Sequence, residues 1–155
     1  MQPQYDHTQK SPLYLIIFVM GILQFIAATT FFPWSNSIFP GIIMVFSGIF
    51  VIFLAFGFQH LQVVDQENYL TIRFGKLPLP FCSRKLIYKN IIKVKIGRTL
   101  LLDGWGIHYS IRGGWVWNIW GRDCVVVYCE KEILRIGTVD AASLRTFLKT
   151  KIGQN

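Results

Sequence analysis

The side chains that could carry catalysis are few and scattered in this chain of 155 residues. His7, His60 and His108 stand far apart, and only His108 has carboxylates within range on neighbouring runs, Asp103 and Asp123. Both of these flank apolar segments and read as turn residues. The three cysteines, Cys82, Cys124 and Cys129, are an odd number without C-x-x-C spacing. Cys124 and Cys129 lie on one apparent strand, five residues apart, and should face opposite sides of it. Neither a zinc site nor a disulfide framework follows from that pattern. The GWG and GG dipeptides make turns, without the helix start that a phosphate-cradling loop needs. The expectation is a protein that is not an enzyme and has no catalytic residues, no metal and no cofactor. A cryptic enzyme built on His108 is the remote alternative.

The other chemically loaded feature is charge. Sixteen Lys and Arg against eight Asp and Glu give a net charge of +8. Arg73, Lys76, Arg84, Lys85, Lys89, Lys93, Lys95 and Arg98 follow one another without an intervening acid. Close to an anionic bilayer each such group gains about 1 kcal/mol. Lys also blunts exposed strand edges, and a protein partner is a third reading, so the stripe stays open between these. Trp105, Trp115, Trp117 and Trp120 fall in the same half. Alternation puts Trp115 and Trp117 on one face and Trp120 on the other, as packing residues or, for one or two of them, as contacts at a membrane interface. No nucleic-acid recognition motif accompanies them, and no nucleic acid is expected as a partner.

These groups hang from an apolar block. No Asp, Glu, Lys or Arg occurs between Lys10 and Asp65. The block divides into two runs, 13–32 and 41–58, each about the 20 residues that a helix needs to cross a hydrocarbon core. Pro33, Ser35, Asn36 and Pro40 supply turn chemistry between them. A transmembrane hairpin is expected at 13–58. Gly21 and Ala28 on one helix, with Gly41, Gly48 and Ala55 on the other, repeat every seven residues and mark a possible packing seam. No ionisable group lies in either run, which argues against a pore or pump. The uncharged turn and the basic residues that follow the second run place both termini in the cytoplasm of a plasma (inner) membrane protein. Phe31, Phe32 and Trp34 would then sit at the outer interface.

The tail, 1–12, is polar and is expected to be disordered and cytoplasmic. Beyond 61 the period shortens to two. LQVVDQ, YLTIRFG, IIKVKIGR, GWGIHYSIR, WVWNIW, DCVVVYC and EILRIG read as about seven antiparallel strands. In the third, Ile92, Val94 and Ile96 should be buried opposite Lys93 and Lys95. Pro78 and Pro80 demote KLPLPF to a loop or edge. A helix then opens at Asp140, with Leu144, Phe147, Leu148 and Ile152 as its apolar stripe.

Several of these segments resemble small bacterial membrane proteins that carry a PH-like domain. Gly104, Trp105, Gly106 and Ile107 fit their GWGI strand. Gly114, Trp115, Asn118 and Gly121 fit a G-W-x-x-N strand with a glycine turn. Ile136, Gly137, Thr138 and Asp140 fit the entry to the last helix, and Leu70 to Gly75 fit L-x-I-R-F-G. The resemblance spans 61–149 and implies a PH-like split barrel over 61–152, closed by the C-terminal helix. The fold class expected is therefore membrane-anchored α+β.

Such proteins supply a fold and little chemistry. The eukaryotic phosphoinositide site is not carried over, because Arg73 is the only basic residue of the first hairpin. The function expected is a membrane-anchored binding module that recognises a membrane-associated protein, an anionic lipid surface, or both. A structural accessory subunit of a larger membrane complex is the alternative.

Overall fold

The computed structural model describes residues 4–31, 38–76, 80–100 and 103–153. The expected turn at Pro33, Ser35 and Asn36, the outer aromatics Phe32 and Trp34, and Pro78 lie outside them, as does the side chain of Phe31. The chain is α+β, with two apolar helices near the N-terminus, then sheets and a C-terminal helix.

Helix α1, Leu13–Phe31, and helix α2, Phe39–Gly57, each run 19 residues. At 1.5 Å per residue each is about 28 Å long, close to the thickness of a bilayer's hydrocarbon core. Pro40 sits in the first turn of α2, where its missing N–H leaves no bond unmade. Both helices are long and apolar enough to cross a membrane, and only 11% and 17% of their most apolar windows are buried. Phe46, Ile43 and Met20 point outward, each at least 60% exposed. A core helix of a soluble domain would be covered by protein on those faces.

The two helices meet through small residues. Gly21 and Ala28 on α1, and Gly41, Gly48 and Ala55 on α2, are all buried. A Cβ at Gly21 would lie 2.6 Å from Cγ1 of Ile52, and one at Gly48 would lie 3.2 Å from the Phe25 ring. The seven-residue spacing thus serves a seam within one chain. Gln24 Nε2 donates to Ser47 Oγ across it at 2.6 Å. In an apolar medium such a bond adds about 0.6 kcal/mol.

The tail that was expected to be disordered is ordered from Gln4. Asp6–Lys10 forms strand β1, antiparallel to β2, His60–Asp65, with Lys10 opposite His60 and Asp6 opposite Val64. The tail's own residues are polar. What orders it is the open edge of β2, whose N–H and C=O groups need partners. The ladder extends toward the helices through Ser11 N–H to Gln59 C=O at 3.2 Å. The helical hairpin is therefore closed at its base by a pair of hydrogen-bonded strands.

Strand β3, Tyr69–Phe74, continues this sheet, and β4, Ser83–Ile87, completes it in the order β1-β2-β3-β4. Leu61, Val63, Leu70, Ile72 and Phe74 face the core and are at most 3% exposed. The second sheet holds β5, Ile91–Arg98; β6, Gly106–Tyr109; β7, Trp115–Asn118; β8, Asp123–Cys129; and β9, Ile133–Gly137. Its order is β5-β8-β9-β7-β6. Nine strands in two sheets replace the seven expected. The additions are β1 and β4, which has one buried residue, Leu86, and so shows no alternation. The β7–β9 pair is parallel, because the β8–β9 hairpin folds back so that β9 lies between β8 and β7.

Two face assignments change. Ile92 and Ile96 are 66% and 51% exposed, and of the three expected apolar residues only Val94 is buried. The register shifts between Ile91 and Lys93, and β5 is an edge strand without a neighbour on its far side. Trp117 is buried against Phe74, whereas Trp115, two residues earlier, is 39% exposed beside Tyr109 at the sheet edge.

Helix α3, Ala141–Gly153, packs on β5 and β8 through Leu144 and Leu148, both fully buried. Its last turn is tied to the first sheet. Lys151 Nζ lies 3.3 Å from Asp65 Oδ2, and Tyr88 donates to Asp65 Oδ1 at 2.7 Å. The backbone N–H groups of Gln4 and Glu67 also reach this carboxylate, at 3.3 and 3.1 Å. The second bond holds Glu67 at φ 60°, the left-handed turn between β2 and β3. Burial pushes the Asp65 carboxyl up, but Tyr88, Lys151 and Gln4 together outweigh it and hold it below the ordinary value. Tyr88 is pushed up by the same burial and by the carboxylate beside it.

Two outcomes follow. Asp65→Ala removes the buried carboxylate that Tyr88, Lys151 and the N–H groups of Gln4 and Glu67 share and should lower stability by about 3 kcal/mol, read by denaturant unfolding in detergent. With a folded value below the unfolded one, Asp65 contributes fully above about pH 4, and the contribution fades as pH falls through the lower folded value. The parent should therefore lose stability in acid more steeply than the variant. Gly21→Leu forces the helices apart and should cost about 1–3 kcal/mol. Gly57→Ala, where a Cβ meets nothing within 4 Å, should be neutral in the same denaturant unfolding.

Candidate functional site

Strand registers fix how far each basic residue lies from the hairpin's base. Lys10 and His60 are opposite each other, each three residues from its helix end. Arg73 is opposite Gln62, one step along the same outer face, and Gly75 N–H donates to His60 C=O at 2.8 Å, which brings Lys76 to the same level. Gly75 has φ +59° because the chain passes tightly over the end of α2. A Cβ there would collide with the Phe56 carbonyl and lie 2.8 Å from Gly57 Cα.

Lys10, Arg73 and Lys76 thus surround His60, and all three side chains are exposed. Burial lowers the His60 pKa first, and the fields of Lys76, Arg73 and Lys10 lower it further. The imidazole stays neutral in a cationic setting.

The rest of the expected stripe disperses. Arg84 is half-buried and paired with Glu132. Lys85, opposite Thr71 and level with Val64, lies four residues beyond His60, about 13 Å at strand rise, with Nζ 5.0 Å from the Tyr69 ring. Lys89 is exposed in the Tyr88–Asn90 turn, which packs against α3. Lys93 and Lys95 are exposed on β5 in the other sheet. Arg98 pairs with Asp123 at 2.9 Å in an exposed ion pair of small net worth. Only Arg73 and Lys76 of the eight join the base. Lys10 and His60 were missed, although the sequence carries a signal for them: they are the polar residues that flank the hairpin symmetrically.

The opposite side of the base is aromatic. Trp105 and Trp120 stack with centroids 4.9 Å apart and planes at 18°, and both are exposed. Two contacts hold the pair beside the helix ends. A Cβ on Gly106, next to Trp105, would lie 3.6 Å from the Phe58 ring. Gln9 donates to the Trp120 carbonyl at 2.8 Å and accepts from Val139 N–H at 3.2 Å. Phe58 packs edge-on against Phe74 and so joins helix α2 to the core. The base carries a collar, cationic on one side and aromatic on the other.

Between the strands of the first sheet, the outer face is concave. A groove of about 420 Å³ opens there, lined by Gln62, Tyr69, Thr71, Arg73, Ser83 and Lys85 among others. Asp6 enters it too, and its carboxylate accepts from Gln62 Nε2 at 3.3 Å.

His108 is not assembled with a carboxylate. Asp103 accepts from Ser110 Oγ and Leu100 N–H, both at 2.8 Å, while Asp123 holds Arg98. Among the described residues no cluster of His, Cys, Asp and Glu has metal-binding geometry. The cysteines are free thiols. Burial pushes Cys124 up to about 11, so it is inert.

No protein-family model, curated protein or solved structure matches this chain.

The collar's field is measurable at His60. In ¹⁵N NMR its imidazole should titrate below the usual 6.5, and Lys76→Gln should raise the midpoint by removing one cation. Protonation is disfavoured in the fold, so this residue stabilises above about pH 6.5 and its contribution declines as pH falls through that range.

Proposed function

We propose that this chain is a membrane-anchored binding module with a PH-like sheet domain, which holds that domain against the cytoplasmic face of a plasma membrane. One observation carries the reading: β1 and β2 pair directly across the base of the apolar hairpin. A domain on a flexible linker would sample many orientations. Here the strands run straight into the helices, and the basic and aromatic collar meets the bilayer surface on both sides. The PH-like part rests on a four-stranded antiparallel sheet, a second sheet and a C-terminal helix packed on the second sheet. It departs from a meander in its parallel β7–β9 pair and in borrowing β1 from before the hairpin.

The work of such a module is recognition, of an anionic lipid surface or of a protein resident at it. The cytoplasmic orientation follows from where the basic groups gather, at the end of the hairpin that carries the domain. A groove near the tip of the hairpin supports a second role, as a subunit packed against other membrane helices. It measures about 340 Å³, is apolar apart from Thr29, and has Ala28 and Gly41 among its walls beside Phe46.

Ser35→Cys tests orientation. An impermeant thiol reagent added to intact cells should label the variant above the parent chain, and labelling only after the cytoplasmic side is opened would refute the reading. The subunit role requires the hairpin fused to a reporter to co-purify with a membrane protein, and Phe46→Ala to weaken that association about tenfold.

A further inference from the structure

We propose that the concave outer face of the first sheet is a binding site for the headgroup of an anionic, hydroxyl-bearing phospholipid, whose phosphate sits among Lys10, Arg73 and Lys76. The inference rests on the membrane-anchored reading above and names the ligand of that module.

The position of the cations is the first argument. The polar layer of a bilayer adds roughly 5–8 Å on each side of the hydrocarbon. Residues within about two strand steps of a helix end occupy that depth. Lys10, Arg73 and Lys76 qualify by register, and Lys85, Lys89 and Lys93 do not. Three exposed cations around one half-buried, neutral imidazole form a phosphate-sized field, and among the described residues none of the three is in an ion pair with a carboxylate.

The groove's polarity is the second argument. Moving up the outer face from Arg73, the lining is mostly amide, hydroxyl and phenol, from Gln62, Ser83, Thr71, Gln66 and Tyr69, with Val64 the one aliphatic wall and Lys85 above the phenol. These groups offer both donors and acceptors, which suits a polyol and gives an acyl chain nothing. Asp6, level with Thr71 and Lys85 by register, accepts from Gln62 and disfavours a second phosphate in that part of the groove. One phosphate below and hydroxyls above is the headgroup of phosphatidylglycerol or a glycosylated relative. Continuity completes the case, since the groove's cationic mouth is the end that abuts the span, and a lipid beside α2 needs no detour to enter it. On the other side of the base, Trp105 and Trp120 provide the aromatic contact that fixes depth.

The full chain in nanodiscs of equal phosphatidylcholine, phosphatidylserine and phosphatidylglycerol, released into native mass spectrometry, tests the site. Retained phosphatidylglycerol should exceed phosphatidylserine, and both should exceed phosphatidylcholine. Arg73→Ala with Lys76→Ala should cut anionic retention about thirtyfold, about fivefold per cation compounded. Thr71→Trp, which fills the groove and keeps every charge, should abolish the preference for phosphatidylglycerol over phosphatidylserine. Lys89→Ala with Lys93→Ala should change nothing.

Equal retention of the two anionic lipids would overturn the headgroup site and leave a surface that reads charge alone. Equal loss from the distal pair would overturn the collar. Failure of the parent to enter nanodiscs, with its hairpin open to protease, would instead refute the membrane-anchored reading beneath it.

Discussion

The pairing of β1 with β2 is the constraint on which the rest of the structure depends. These strands lie on either side of the helical hairpin in sequence, yet they are hydrogen-bonded neighbours along five residue pairs. Every other part inherits its place from that ladder. The helices must leave the sheet side by side, which lets the small-residue seam close between them. The first sheet gains an edge strand from residues too polar to fold alone. Lys10 and His60 are brought face to face at the point where protein gives way to an apolar surface. An ordinary linker before or after the hairpin would leave the domain's orientation unspecified.

The far end of the domain is fixed by different means. Asp65, at the end of β2, gathers Tyr88, Lys151 and the backbone of Gln4 and Glu67 around one buried carboxylate. Lys151 Nζ also lies 5.5 Å from the rings of both Tyr88 and Phe147. The N-terminal segment, the first turn of the sheet and the last turn of α3 thus converge on a single group. A buried ion pair contributes little net stability compared with an apolar contact, and its value is the geometry it enforces. Here it prevents the closing helix from sliding along the second sheet. The ladder at the base and this knot at the opposite end make the domain a stiff extension of the hairpin.

How much of this could be read in the sequence depends on which interactions carry their own pattern. The helices could, because an uncharged apolar run of that length admits few other structures. Strands β2 and β3 could, because Leu61, Val63, Leu70, Ile72 and Phe74 alternate without error. The stripe of α3 was equally plain. Strand β1 was hidden, since DHTQK has no apolar residue, and its order comes from an edge some fifty residues away. Strand β4 was hidden by having one buried side chain. Ile92 and Ile96 looked like core because alternation cannot reveal an edge strand or a register shift. For the site, Arg73 and Lys76 were visible as charges in a longer run. Which members of that run belong together is a property of strand register, and Lys10 entered only once β1 had formed.

The most direct measurement is a disulfide across the base. Thr8 and Gln62 are Cα partners on the outer face, and directly opposed antiparallel residues sit about 4.5–5.5 Å apart, within disulfide range. In membranes holding the chain with Thr8→Cys and Gln62→Cys, mild oxidation should produce a rapid intramolecular crosslink, with Thr8→Cys and Tyr69→Cys as the slow control. If the Thr8–Gln62 pair crosslinks no faster than that control, or only between chains, the two strands are not paired and the domain is not held on its hairpin as described.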